Sequence, residues 1–241
     1  MKHLAVVIVS LLFIVLLATG CSGRLPRFVD HPRPALQANV QMLEEAGCVQ
    51  DKRGWEEWWN CESSDVLSAL GCDGVEVDRL LAGLTPAYSV MGCYYLGPDP
   101  PPSDKFTAMG GLSTWDHSYL LYREGEYQLV RKAELLPIFV PVESANEALS
   151  YALLGTSLQA EYEFEGNWAD LSLVRYLVDR VEATHVREEA DAFIVHLFTA
   201  PYPFFGCDTH TVSAVDVRVT RDGHIQQLNK TPVYEFEACI D

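Results

Sequence analysis

Cys207 and His210 stand three positions apart in Cys207-Asp208-Thr209-His210, the one place in this chain where a thiol and an imidazole lie close in sequence. A tetrahedral metal centre needs a thiolate, a neutral imidazole and two further ligands, so this motif supplies at most half a set. A metal carrier built here would draw on His210, Asp208 and at least one distant ligand; no metal site and no cofactor is assigned. Of the other histidines, His31, His117, His185, His196 and His224, none stands at i, i+4 to another on a helix, and His196, between Val195 and Leu197, reads as a satisfied, half-buried strand residue. A hydrolase would have to pair carboxylates with a histidine such as His117 or His210. The chain has no G-x-S-x-G elbow, no H-E-x-x-H, no phosphate loop and no glycine-rich dinucleotide turn, and no catalytic residue is assigned.

Six further cysteines beyond the first, Cys48, Cys61, Cys72, Cys93, Cys207 and Cys239, form an even set without a C-x-x-C pair, which reads as three disulfides. Fifteen pairings are open. Nearest-neighbour pairing gives 48 with 61 and 72 with 93. Asp222-Gly223 lies midway between Cys207 and Cys239, so a turn there, with Val217 facing Leu228, predicts a third bond that ties down the C-terminus. Trp55, Trp58 and Trp59 fall at i, i+3, i+4 and would make one aromatic face of a helical turn. They are candidate ligand contacts, a stacking platform for a sugar or peptide, although packing on neighbouring helices inside the 48–61 loop is the stronger reading. Asp73, Glu76 and Asp78 lack calcium-loop spacing and read as a solvated acidic face.

The elements that must position these residues predict an α+β fold. A helix opening at Pro34, with Leu36, Val40 and Leu43 on its apolar stripe and Gly47 closing it, begins a helix-rich, disulfide-containing part over 35–96. Ser63 or Ser64 caps a short helix, 78–84 suggests another, and 88–96 is β-prone. The proline-rich run 97–104 and Met109-Gly110-Gly111 make a connector over 97–111. That first part is packed with, or linked to, a C-terminal part over 112–241: an antiparallel sheet with one or two helices, ending in a hairpin. Glu124-Gly125-Glu126 joins two strands. Residues 138–142 read as a strand, Ser144-Ala145-Asn146-Glu147 is a capping box, and 171–181 fits either period. Residues 192–199 form a buried strand, and Val215, Val217 and Val219 alternate toward the Asp222-Gly223 turn.

At the other end, Lys2 and His3 precede an apolar run from Leu4 to Leu17, and Leu17-Ala18-Thr19-Gly20-Cys21 closes it with small residues before a cysteine. This stretch resembles the lipobox of bacterial lipoproteins, departing from its commonest form at Ala18. The resemblance implies a signal peptide over 1–20, cleavage before Cys21, and a thioether-linked lipid on Cys21, usually with acylation (palmitate) of the new amine. The run is shorter than the roughly 20 residues that cross a bilayer, so lipid rather than a spanning helix anchors the chain. Residues 21–34, with three arginines and three prolines, then form a tether. Loss of Lys2 with the signal takes the formal charge from −17 to −18, which repels nucleic acid. The sequence thus predicts a lipid-anchored domain on the non-cytoplasmic side of a bacterial membrane, most simply a non-catalytic module binding an envelope protein, peptide or glycan; the alternatives are a hydrolase of envelope polymers and the metal carrier.

Overall fold

The computed structural model describes residues 25–51, 57–97, 100–108, 116–162, 164, 174–199 and 206–240. The chain runs β1 (Arg27–Val29), α1 (Gln41–Glu45), β2 (Val49–Asp51), β3 (Glu57–Asn60), α2 (Asp65–Leu70), β4 (Gly74–Val77), a 3-10 turn (Arg79–Gly83), β5 (Ser89–Tyr95), β6 (Thr107–Ala108), β7 (Asp116–Arg123) and β8 (Glu126–Val130). After it come α3 (Lys132–Leu135), a second 3-10 turn (Leu136–Phe139), α4 (Ala145–Gly155), β9 (Leu158–Gln159), β10 (Val174–Tyr176), β11 (Arg180–Glu182), β12 (His185–Glu188), β13 (Ala192–Thr199), β14 (Gly206–Thr220) and β15 (Ile225–Ile240).

This overturns the helix-rich part expected over 35–96. The protein is mostly β, and that stretch supplies four strands of a seven-stranded sheet in the order β2-β3-β4-β5-β7-β6, with β8 also on β7. Only Gln41–Glu45 of the helix expected from Pro34 is helical. The apolar stripe misled because its members are not on one helix: Leu36 and Val40 lie in irregular chain, partly buried against two different core clusters, and only Leu43 is helical. The aromatic helical turn is overturned in the same way. Trp58 and Trp59 are successive residues of β3 and face opposite sides of the sheet; Trp55 lies outside the described residues.

A six-stranded sheet, β10-β15-β14-β13-β12 with β9 also on β13, forms the C-terminal half, and β1 pairs in parallel with β11 as a separate ribbon. The capping box forms as expected: Ser144 Oγ accepts from Glu147 N at 3.3 Å and Glu147 Oε2 accepts from Ser144 N at 3.0 Å, opening α4. Its buried Ala148, Leu149, Tyr151, Ala152 and Leu154 lie in one cluster with Leu80, Leu81, Val90 and Leu121 of the first sheet region and Phe193, Val195, Leu197, Val215, Val217 and Val219 of the second. The helix is therefore wedged between the sheets, and one core joins both halves. The far face of the seven-stranded sheet closes over a second cluster containing Trp59, Val75, Met91 and Leu120 and the disulfides Cys48–Cys61 and Cys72–Cys93. Residues 138–142 do not form the strand expected there, since Pro137 starts a 3-10 turn instead. Among the described residues, no helix is long and apolar enough to cross a membrane.

Candidate functional site

The face of the seven-stranded sheet that meets α4 is covered only in part. Val90 and Leu121, a cross-strand pair of β5 and β7, sit under the helix; along the same face the pattern turns from aliphatic to polar and aromatic. The registers place Trp58 opposite Glu76, Glu76 opposite Gly92, Gly92 opposite Tyr119 and Tyr94 opposite His117. Beside α4 this surface forms a cleft of about 1190 Å³, bordered by Asp51 and Glu57 from β2 and β3, by Asp78 and Arg79, and by Ser157 and Gln159 after α4.

The rings form a connected set. Trp58 and Tyr94 have centroids 5.0 Å apart, Tyr94 and His117 5.0 Å, and His117 meets Tyr119 edge-on at 5.0 Å. Gly92 leaves the floor open between them: a Cβ there would lie 3.1 Å from the Tyr94 ring and 3.5 Å from both Glu76 Cβ and His117 Nε2. The Tyr94 hydroxyl donates to Glu76 Oε2, and Glu57 Oε2 accepts from Arg79 Nε at 2.6 Å, so both carboxylates are held in place. Burial, helped by the nearby Lys132 cation, pushes the His117 imidazole down to about 4, which keeps it neutral at pH 7. Burial, with the Glu76 carboxylate adding to it, raises the Tyr119 phenol.

The structure disperses the other sequence-derived candidates. Asp73, Glu76 and Asp78 do not form one solvated face: Asp73 Oδ2 accepts from Leu96 N at 2.9 Å, Asp78 Oδ1 caps Leu80 N at 2.8 Å, and Glu76 lines the cleft. Trp59 is buried in the far core, leaving Trp58 beside the cleft. His196 Nδ1 lies 2.8 Å from Asp216 Oδ1, and the His210 ring lies 5.4 Å from that of Phe236. Cys207 pairs in register with Cys239. Cys21 lies outside the described residues. Sequence reasoning missed Glu76, Tyr94 and Tyr119 as members of one site, because they come from three strands whose pairing carries no spacing signal. The available clue was polar and aromatic alternation in His117-Ser118-Tyr119 and around Gly92.

No family model, no curated protein and no solved structure matches this chain.

Proposed function

We propose that this protein is an envelope lipoprotein, held on the non-cytoplasmic side of a bacterial membrane by lipid on Cys21, whose cleft binds a glycan without transforming it. The observation that carries the reading is the cleft wall where Tyr94, His117 and Tyr119 come together with Glu76, backed by the Trp58 ring packed on Tyr94. Ring faces cover the apolar C–H faces of a sugar, while carboxylates and hydroxyls bond its hydroxyl groups. A cleft of about 1190 Å³ exceeds the roughly 300–1,000 Å³ of small-molecule pockets and suits a segment of polymer. Glu76 fixed by Tyr94 arrives already oriented, which lowers the ordering cost of binding. Two disulfides support an oxidising, exported setting, and the lipobox-like end of the apolar run supports the anchor.

The binding reading is tested by passing the detergent-solubilised protein over immobilised envelope glycan strands and, in parallel, over peptides from the same compartment. Retention on glycan should fall at least tenfold in Tyr119→Ala and in Glu76→Ala. Retention unchanged by both, preference for peptide, or release of new reducing ends would each overturn it. For the anchor, Cys21→Ser should accumulate as an uncut precursor without lipid label; cleavage after Gly20 with label retained defeats that part.

A further inference from the structure

A second concavity, of about 310 Å³, opens on the six-stranded sheet, and a row of histidines crosses it. His185 on β12 pairs with His196 on β13, and His196 pairs with Asp216 on β14. His31 joins the row from outside the sheet. The parallel pairing of β1 with β11 sets Val29 beside Glu182, and Ala183 N donates to Val29 O at 2.9 Å. Two residues later the chain delivers His31 onto His185, with the rings stacked 4.2 Å apart and the His185 and His196 rings 5.1 Å apart.

The hydrogen bonds fix where the lone pairs are. His185 Nδ1 lies 2.9 Å from Ala183 O, and since a carbonyl only accepts, Nδ1 carries the proton and Nε2 keeps its lone pair. A backbone carbonyl orienting the distal ring nitrogen is the usual support of a metal-binding imidazole. His31 Nε2 is buried, makes no hydrogen bond among the described residues, and lies 3.6 Å from Glu182 Oε2. Glu182 Oε1 is held by Arg180 at 2.8 Å, which leaves the other oxygen turned to His31. One ligand atom from each of His31, Glu182 and His185 lies within 4.8 Å of the other two. Ligands about 2.0–2.1 Å from a tetrahedral zinc sit roughly 3.4 Å from one another, so rotations of these half-buried side chains close the set.

We propose that His31, Glu182 and His185 bind a divalent transition-metal ion of the zinc class, with water in the fourth position and the Asp216-held His196 stacked behind His185. Two imidazole nitrogens and one carboxylate oxygen suit zinc, whereas magnesium and calcium take oxygen ligands. The ion would cross-link the segment after β1 to β11 and β12. This site shares no residue with the cleft and does not depend on the glycan reading.

The test is titration of the chelator-stripped full-length protein with zinc, followed by calorimetry, and with cobalt, followed by visible absorption. The expected result is one zinc per chain, with tetrahedral cobalt bands of high intensity. His31→Ala and His185→Ala should each weaken zinc at least tenfold and remove those bands, while His210→Ala leaves both unchanged. Because His31 is not part of the buried apolar core, His31→Ala should retain the circular dichroism of the parent, so its loss of zinc reads the site and not the fold. Zinc should raise the melting temperature of the parent but not of His31→Ala. Failure to bind one equivalent, or zinc binding that survives His31→Ala or His185→Ala unweakened, overturns the proposal.

Discussion

Cys207 lies directly across the β14–β15 ladder from Cys239, and it does so because of two register shifts. Val219 pairs with Ile225 at the turn, and a ladder continued in that register would set Cys207 opposite Glu237. One extra residue on β15 at each irregularity, between Val212 and Ser213 and between Val215 and Val217, moves the partner to Cys239. The expected facing of Val217 with Leu228 is corrected as well: in the register set at the turn, before either shift, Val217 pairs with Gln227, and Leu228 is exposed. Opposed residues on antiparallel strands have Cα atoms about 4.5–5.5 Å apart, inside the range a disulfide spans. Peptide mapping of unreduced protein should therefore yield one linked fragment containing both cysteines, and Cys239→Ser should cost about 2–4 kcal/mol in denaturant unfolding. Free thiols at both positions would remove this bond.

The His117 imidazole predicts a pH dependence of stability. Its pKa falls from 6.5 when unfolded to about 4 when folded, so between these values the unfolded chain binds more protons. The contribution of the neutral ring is complete above pH 6.5 and is lost as pH falls toward 4. His117→Gln should flatten the stability profile in that window by up to about 3 kcal/mol. Equal slopes for parent and variant in urea titrations at pH 4 to 7 would refute it.

Ser150 ties α4 to the first 3-10 turn. Its hydroxyl, fully buried, donates to Leu80 O and accepts from Gly83 N at 3.1 Å. Ser150→Ala strands a buried carbonyl and an amide, which costs about 1–3 kcal/mol. Because the core on both sides of α4 is continuous, the loss should shift one cooperative transition rather than split it; two separate transitions in chemical denaturation would contradict the shared core.

Gly74 lies under Trp58. A Cβ there would fall 2.2 Å from Trp58 Cζ2, so Gly74→Ala must turn the indole away from Tyr94. Tryptophan emission should change in Gly74→Ala, and the change should vanish when both variants are compared in a Trp58→Phe background. A change that persists there comes from another tryptophan and sinks the assignment.

What was legible in the sequence was local. The Ser144 capping box, the Ser64 cap of α2, the Glu124-Gly125 turn between β7 and β8, and strand β13 all declare themselves through chemistry acting within a few residues. The ambiguous 171–181 stretch contains strand β10, whose Val174 and Tyr176 pack with buried Phe164, Phe198 and Tyr234. Short strands such as β2 and β3 did not declare themselves, because three or four residues give too little period and their pairing comes from partners elsewhere. The cleft was illegible for the same reason. Glu76, Tyr94 and His117 are neighbours only after three strands have paired, and His31 meets His185 only through β1 and β11.

That last pairing sets an order of events during synthesis. Arg27 and Arg180 are separated by roughly 150 residues, so β1 leaves the ribosome long before its partner exists, and closing so large a loop is slow. The β14–β15 hairpin and the β7–β8 hairpin can each zip from a nearby turn, but β1 must wait. Phe28, whose ring stacks on Phe164 and meets Tyr176 edge-on, waits with it. A strand made early is therefore among the last to find its partner, and only with that pairing is His31 brought onto His185.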